Sequence, residues 1–203
     1  KDPFLGAADD ENFSRAGSTI DWPAAVLPMN DVTPEYSVKY PTTFFMSSGY
    51  SGNWMSEHDN TLWDSTKTKY DPCPPGWRVP DGGDKTGFWQ IAGSTVQYDK
   101  TNYGMIFLGY DFQAWYPATG WIAKEDNTVR SMASRGNCWT LIPSGDEARF
   151  MMFDMTGVFT NTTYYDCKAD GFSVRCQKEG TGGGSGENPR PDADGNYYLV
   201  GTF

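Results

Sequence analysis

The only histidine, His58, stands between Glu57 and Asp59, an arrangement in which a carboxylate orients an imidazole as a general base. A general base needs a nucleophile, and the chain has no G-x-S-x-G elbow. The four cysteines, Cys73, Cys138, Cys167 and Cys176, are the other candidates for covalent or metal chemistry. None lies in a C-x-x-C, so a zinc site would have to gather four scattered thiolates against the usual paired spacing. Four cysteines allow three pairings. Two disulfides in an oxidising compartment are the expected use, and His58 then reads as an exposed turn residue. We expect no enzyme activity and no catalytic residues.

Oxygen-ligand metal sites fare little better. The acidic clusters Asp9-Asp10-Glu11, Asp81-Gly82-Gly83-Asp84 and Asp192-Ala193-Asp194-Gly195-Asn196 could hold Ca²⁺, but they read equally as solvated turns. The last begins like an EF-hand loop, yet its twelfth position is Phe203 where a bidentate Glu is required. The Gly-rich stretch 180–186 lacks the Lys-Ser/Thr of a phosphate loop and reads as a flexible linker. No metal and no cofactor are expected.

Composition narrows the partners. The 203 residues carry a formal charge of −10, so no basic face is available to grip nucleic acid or anionic lipid. No apolar run approaches the roughly 20 residues of a membrane-spanning helix, and no direct membrane insertion is expected. The chain begins Lys1-Asp2-Pro3-Phe4, which reads as a piece of a longer protein. Leu, Ile, Val and Phe total only 32 residues, but Phe, Tyr and Trp together also total 32. Each aromatic can bury roughly 150–250 Å², so the expected core is aromatic. Exposed aromatics are then the strongest binding candidates, because Trp, Tyr and Arg dominate recognition hot spots. Trp115, Tyr116 and Trp121 are such candidates, with core packing as the alternative for each.

The elements that must position them are short. Residues 1–35 are polar and proline-punctuated, with a short helix predicted around residues 24–27, and form an N-terminal extension. From residue 37 short β-like segments follow, including 37–40 and 43–46, and residues 59–63 could start a helical turn. Residues 70–80 hold four prolines, so they form an ordered loop. Residues 103–122 carry several aromatic segments, 104–110 and 111–116 among them; 139–142 and 149–153 read as strands, and 171–176 alternates cleanly as a final core strand. The fold class is α+β, β-rich and loop-rich. The domain occupies residues 36–179, followed by the linker 180–186 and a tail strand, 187–203. That tail could donate a strand to a neighbouring subunit, begin a further domain, or lack order.

Two segments carry a family resemblance: residues 70–80, YDPCPPGWRVP, and residues 171–176, GFSVRC. Together with Phe44, Trp54, Leu62-Trp63 and Lys67-Thr68 they resemble fimbrillin-family or major-paralogous-domain surface proteins of Bacteroidales. The resemblance covers residues 36–179 and implies a C-type-lectin-like domain with nested disulfides Cys73–Cys176 and Cys138–Cys167. The outer bridge would close a loop of about 100 residues, worth roughly 4–5 kcal/mol in the chain-entropy model. The chain departs from the family in reading Cys138-Trp139-Thr140-Leu141 where Tyr-Trp-Ser-Ser usually stands. The resemblance places a ligand face within residues 137–170, making Trp139, Leu141, Phe159, Tyr164, Tyr165 and Asp166 candidate ligand contacts. Residues 161–166, NTTYYD, also look like the variable stretch of retroelement-diversified proteins on this fold. The implied function is a non-catalytic cell-surface or pilus-tip adhesin binding a host or bacterial glycan or protein. The alternative is a pilin or scaffold module that assembles with neighbouring subunits through residues 187–203. Either implies an extracellular, cell-surface or fimbrial location on an outer-membrane-associated parent.

Overall fold

The computed structural model describes residues 24–25, 32–39, 44–45, 52–55, 59–82, 95–108, 113–159 and 165–178. His58, Tyr164, the Gly-rich stretch and residues 187–203 lie outside the described residues, as do most of residues 1–35.

The longest element is a hairpin of β9 (Arg135–Ser144) and β10 (Glu147–Asp154). Its two-residue turn has Gly145 at φ 61° and no positive φ at Asp146, the pattern of a type II′ turn, which matches strand twist. β10 is buried from Ala148 to Phe153, so both of its faces are covered, as the apolar run of residues 150–153 dictates.

On one face, Cys138, Met151 and Phe153 pack with Met105, Phe107, Ala114 and Tyr116. These last four belong to a three-stranded antiparallel sheet of β4 (Thr95–Asp99), β5 (Gly104–Leu108) and β6 (Gln113–Pro117). On the other face, Trp139, Phe150 and Met152 meet Val79, Phe172, Val174 and the cystine Cys73–Cys176. The central hairpin is therefore sandwiched between a regular sheet and a layer of ordered loops. The core is aromatic, as the composition predicts.

The remaining elements are small. The described residues contain one helix, α1 (Pro34–Lys39). β1 (Ala24–Ala25) pairs in parallel with β2 (Phe44–Phe45), and β3 (Trp77–Arg78) pairs with β13 (Gln177–Lys178). β7 (Trp121–Ile122) pairs with β8 (Val129–Arg130). β11 (Gly157–Phe159) and β12 (Tyr165–Cys167) flank β10 on the edge opposite β9. The architecture is β-rich with little helix.

Four expectations are corrected. Ala24-Ala25 is strand rather than helix, because its pairing with Phe44-Phe45 overrides alanine's helix preference. Residues 37–39 close a helix rather than form a strand. Thr33 caps it, its hydroxyl accepting from the Tyr36 amide at 3.2 Å, and Pro34 supplies a fixed first-turn φ. Residues 171–176 do not alternate in burial, since Arg175 is buried as well as Phe172, Val174 and Cys176, and their backbone forms isolated bridges, among them Gly171 to Ile122 and Ser173 to Cys138, rather than a ladder.

The fourth correction concerns the second disulfide: Cys138 and Cys167 are free thiols. Cys138 pairs with Met151 on one edge of β10, and Cys167 pairs with Glu147 on the other. Two strand spacings and four residues along β10 put them about 16 Å apart, whereas a disulfide needs Cα atoms within about 7 Å. The outer bridge, Cys73–Cys176, is present with its Cα atoms 5.7 Å apart.

Candidate functional site: an indole-lined groove

The hairpin is irregular at one point. Ala148 pairs with Pro143 and Phe150 with Trp139, so three residues of β9, Thr140 to Ile142, oppose the single residue Arg149. Pro143 cannot donate a ladder hydrogen bond, and bulges are where such residues are tolerated. The Thr140 hydroxyl holds the bulge by donating to the Arg149 carbonyl at 2.8 Å. A bulge re-aims side chains, and here Trp139, Leu141 and Pro143 line one groove.

Two loops build the walls. Trp54 and Met55 come from residues 52–55, and Leu62 and Trp63 from the turn at residues 59–63. Trp54 is backed by Phe45, ring centroids 6.1 Å apart, and Phe45 by Tyr36 at 5.8 Å. Tyr36 thus links α1 to this wall. Trp63 is fixed by its indole N–H, which donates to the Tyr70 carbonyl at 3.2 Å. Loop 70–80 is itself organised by the buried Asp71, whose carboxylate accepts from the Cys73 and Val79 amides and pairs with Lys67 at 3.0 Å. The sequence motif YDPCPPGWRVP is therefore the rigid support behind one wall.

The rim is polar. Asp59 accepts from the Thr61 amide and hydroxyl, at 2.8 and 2.6 Å, and these bonds hold its carboxyl below the ordinary range. Lys168 donates to the Asn60 side chain and to the Gly145 carbonyl. Half-burial pushes its ammonium pKa down. The groove holds about 90 Å³, and its walls are mostly apolar.

Of the expected contacts, the structure brings Trp139 and Leu141 into this groove. Trp139 is 4% exposed and forms its floor. The others are scattered. Tyr116 is a core residue, 2% exposed, with the Arg175 guanidinium 3.9 Å from its ring centroid. It takes the core-packing alternative. Trp115 packs over Gly104, and Trp121 lies under Arg135. Phe159 packs against the Trp139 core cluster. The Tyr165 hydroxyl accepts from Arg149 at 3.1 Å.

Asp166, Cys167 and Asp170 bring their ligating atoms within 4.8 Å of one another. Burial pushes Asp170 up to about 6 and raises the Cys167 thiol. Their carboxylates already hold the Cys167 and Lys124 amides, so no metal is assigned here. Asp81, from a predicted acidic cluster, is paired with Arg78 at 2.6 Å.

Residue typing alone misses Asp59, Asn60 and Lys168 as site groups, because they come from segments 108 positions apart. Pro143, inside β9, is the sequence signal that marks the bulge. No family model, no curated protein and no solved structure matches the chain.

Proposed function

We propose that the chain is a non-catalytic ligand-binding domain of a cell-surface or pilus-tip adhesin, C-type-lectin-like in fold and extracellular. The observation that carries this is the convergence of three indoles, Trp54, Trp63 and Trp139, with a rim of Asp59, Asn60 and Lys168. Rigid aromatic walls with a few placed polar groups are the chemistry of recognition sites. The cystine Cys73–Cys176 supports an oxidising compartment. The motif resemblance to fimbrillin-family and major-paralogous-domain proteins supports the surface assignment. Non-catalytic character is supported by the free thiols: burial raises Cys138 to about 12 and also raises Cys167, so neither is an activated nucleophile.

The test is binding of the intact chain to arrays of glycans and extracellular proteins, with Ca²⁺ and with chelator. Saturable capture that is lost in Trp63→Ala is expected. A blank array, or capture indifferent to Trp63, would overturn the assignment.

A further inference from the structure

We infer that the groove takes a neutral pyranose of a saccharide chain. The inference rests on the groove being the ligand face. A pyranose presents two unlike surfaces: a face of C–H groups that lies against an indole, and a rim of hydroxyls that each donate and accept. The groove has both counterparts side by side. Trp54, Trp63 and Trp139 line it together, and Asp59, Asn60 and Lys168 add a carboxylate, a carboxamide and an ammonium.

These three groups are complementary to a diol. Asp59 is an acceptor only; Thr61 occupies its Oδ1. Asn60 both donates and accepts, while Lys168 has three donors, two of which go to Asn60 and Gly145. A hydroxyl pair can therefore donate to Asp59 while accepting from Lys168 or Asn60.

Charge gives neither of the main ionic alternatives a net advantage. Lys168 on the rim opposes an ammonium ligand, which an aromatic cage would otherwise favour. Asp59 opposes an anionic one. Together the opposite charges leave a rim suited to a neutral, hydroxyl-rich group. A protein anchor would need this rim desolvated and paired, and Asp59 and Asn60 are exposed.

The experiment titrates the intact chain with cellotetraose, maltotetraose, sialyllactose, choline and a Phe/Trp-rich peptide, following tryptophan fluorescence. At least one neutral tetrasaccharide should bind. Trp63→Ala should weaken it about tenfold or more, the loss of one aromatic stacking contact with its buried area. Asn60→Ala, an exposed change that leaves the core intact, should weaken it about threefold or more, the loss of one hydrogen bond. If only the peptide, choline or sialyllactose binds, and Trp63→Ala abolishes it, the saccharide assignment falls while the groove stands. If a saccharide binds equally to both variants, the groove assignment falls. If none of the five binds, the saccharide assignment is overturned.

Discussion

Trp139 lies nearly parallel to Phe172, ring centroids 4.3 Å apart at 25°, while Phe150 meets both rings edge-on. One residue thus belongs to the core on its Phe172 side and to the groove floor on the other. The consequence is that Trp139 cannot be removed for one role alone. Trp139→Ala should destabilise the fold by about 3–5 kcal/mol, in the range of large buried aromatics. Denaturant unfolding would check this. Trp63, half-buried at the wall, should cost clearly less than Trp139, so binding losses there report the site.

The covalent account is checked by counting thiols. Unfolded without reduction, the chain should take two alkyl groups, at Cys138 and Cys167, and four after reduction. In the folded state only Cys167 should react, since Cys138 is buried in the sheet. Replacing Cys73 and Cys176 together should cost about 4–5 kcal/mol, because the bridge closes a loop with a sequence separation of 103.

Gly52 touches the far end of the hairpin. A Cβ there would sit 2.9 Å from Cys167 Sγ and 3.1 Å from the Asp146 carbonyl oxygen. Gly52→Ala should therefore destabilise by about 1–3 kcal/mol through overpacking. Thermal denaturation would show it, and Gly52→Ala in a Cys167→Ala background should recover part of the loss as the sulfur goes.

Asp170 predicts a pH effect of definite sign. Burial raises its carboxyl to about 6, above the ordinary value of about 3.9 of an unfolded aspartate. The folded state then binds more proton than the unfolded state between roughly pH 4 and 6, so its contribution to stability falls as pH rises through that window. Asp170→Asn removes the titration while keeping an oxygen for the Lys124 amide. Its melting temperature relative to the parent chain should rise across that window and level off above pH 7. A flat difference would contradict the burial of this carboxyl.

Asn137 offers a test in the opposite direction. Its carboxamide is 1% exposed, and neither side-chain nitrogen nor oxygen has a hydrogen-bond partner among the described residues. A buried polar group without a partner costs about 1–3 kcal/mol, so Asn137→Leu should be neutral or stabilising by denaturant unfolding.

Much of the frame was legible in the residues. The run 149–153 reads as a strand, and the prolines of 70–80 could only be an ordered loop. What misled was local pattern without its context. At 171–176 the apolar side chains Phe172, Val174 and Cys176 do share one core cluster, but Arg175 between them is buried too, over Tyr116. The segment nonetheless makes single bridges to β7 and β9 in passing, so no ladder forms. The cap of α1 at Thr33 and Pro34 is a local signal that the β-like reading of 37–40 did not use.

The groove was legible only in pieces. Trp139 and Leu141 are recoverable from their segment, but what makes them a site is a bulge, seen only once β10 is in register. Lys168 and Asn60 meet through the tertiary fold alone.

The most direct test of the groove as the ligand face is the set of indole N–H signals in a ¹⁵N-labelled chain, assigned by single Trp→Phe replacements and followed as ligand is added. Shifts confined to Trp54, Trp63 and Trp139, with Trp115 and Trp121 unmoved, are the predicted result. Shifts centred on Trp115 or Trp121, with the groove indoles unchanged, would contradict it.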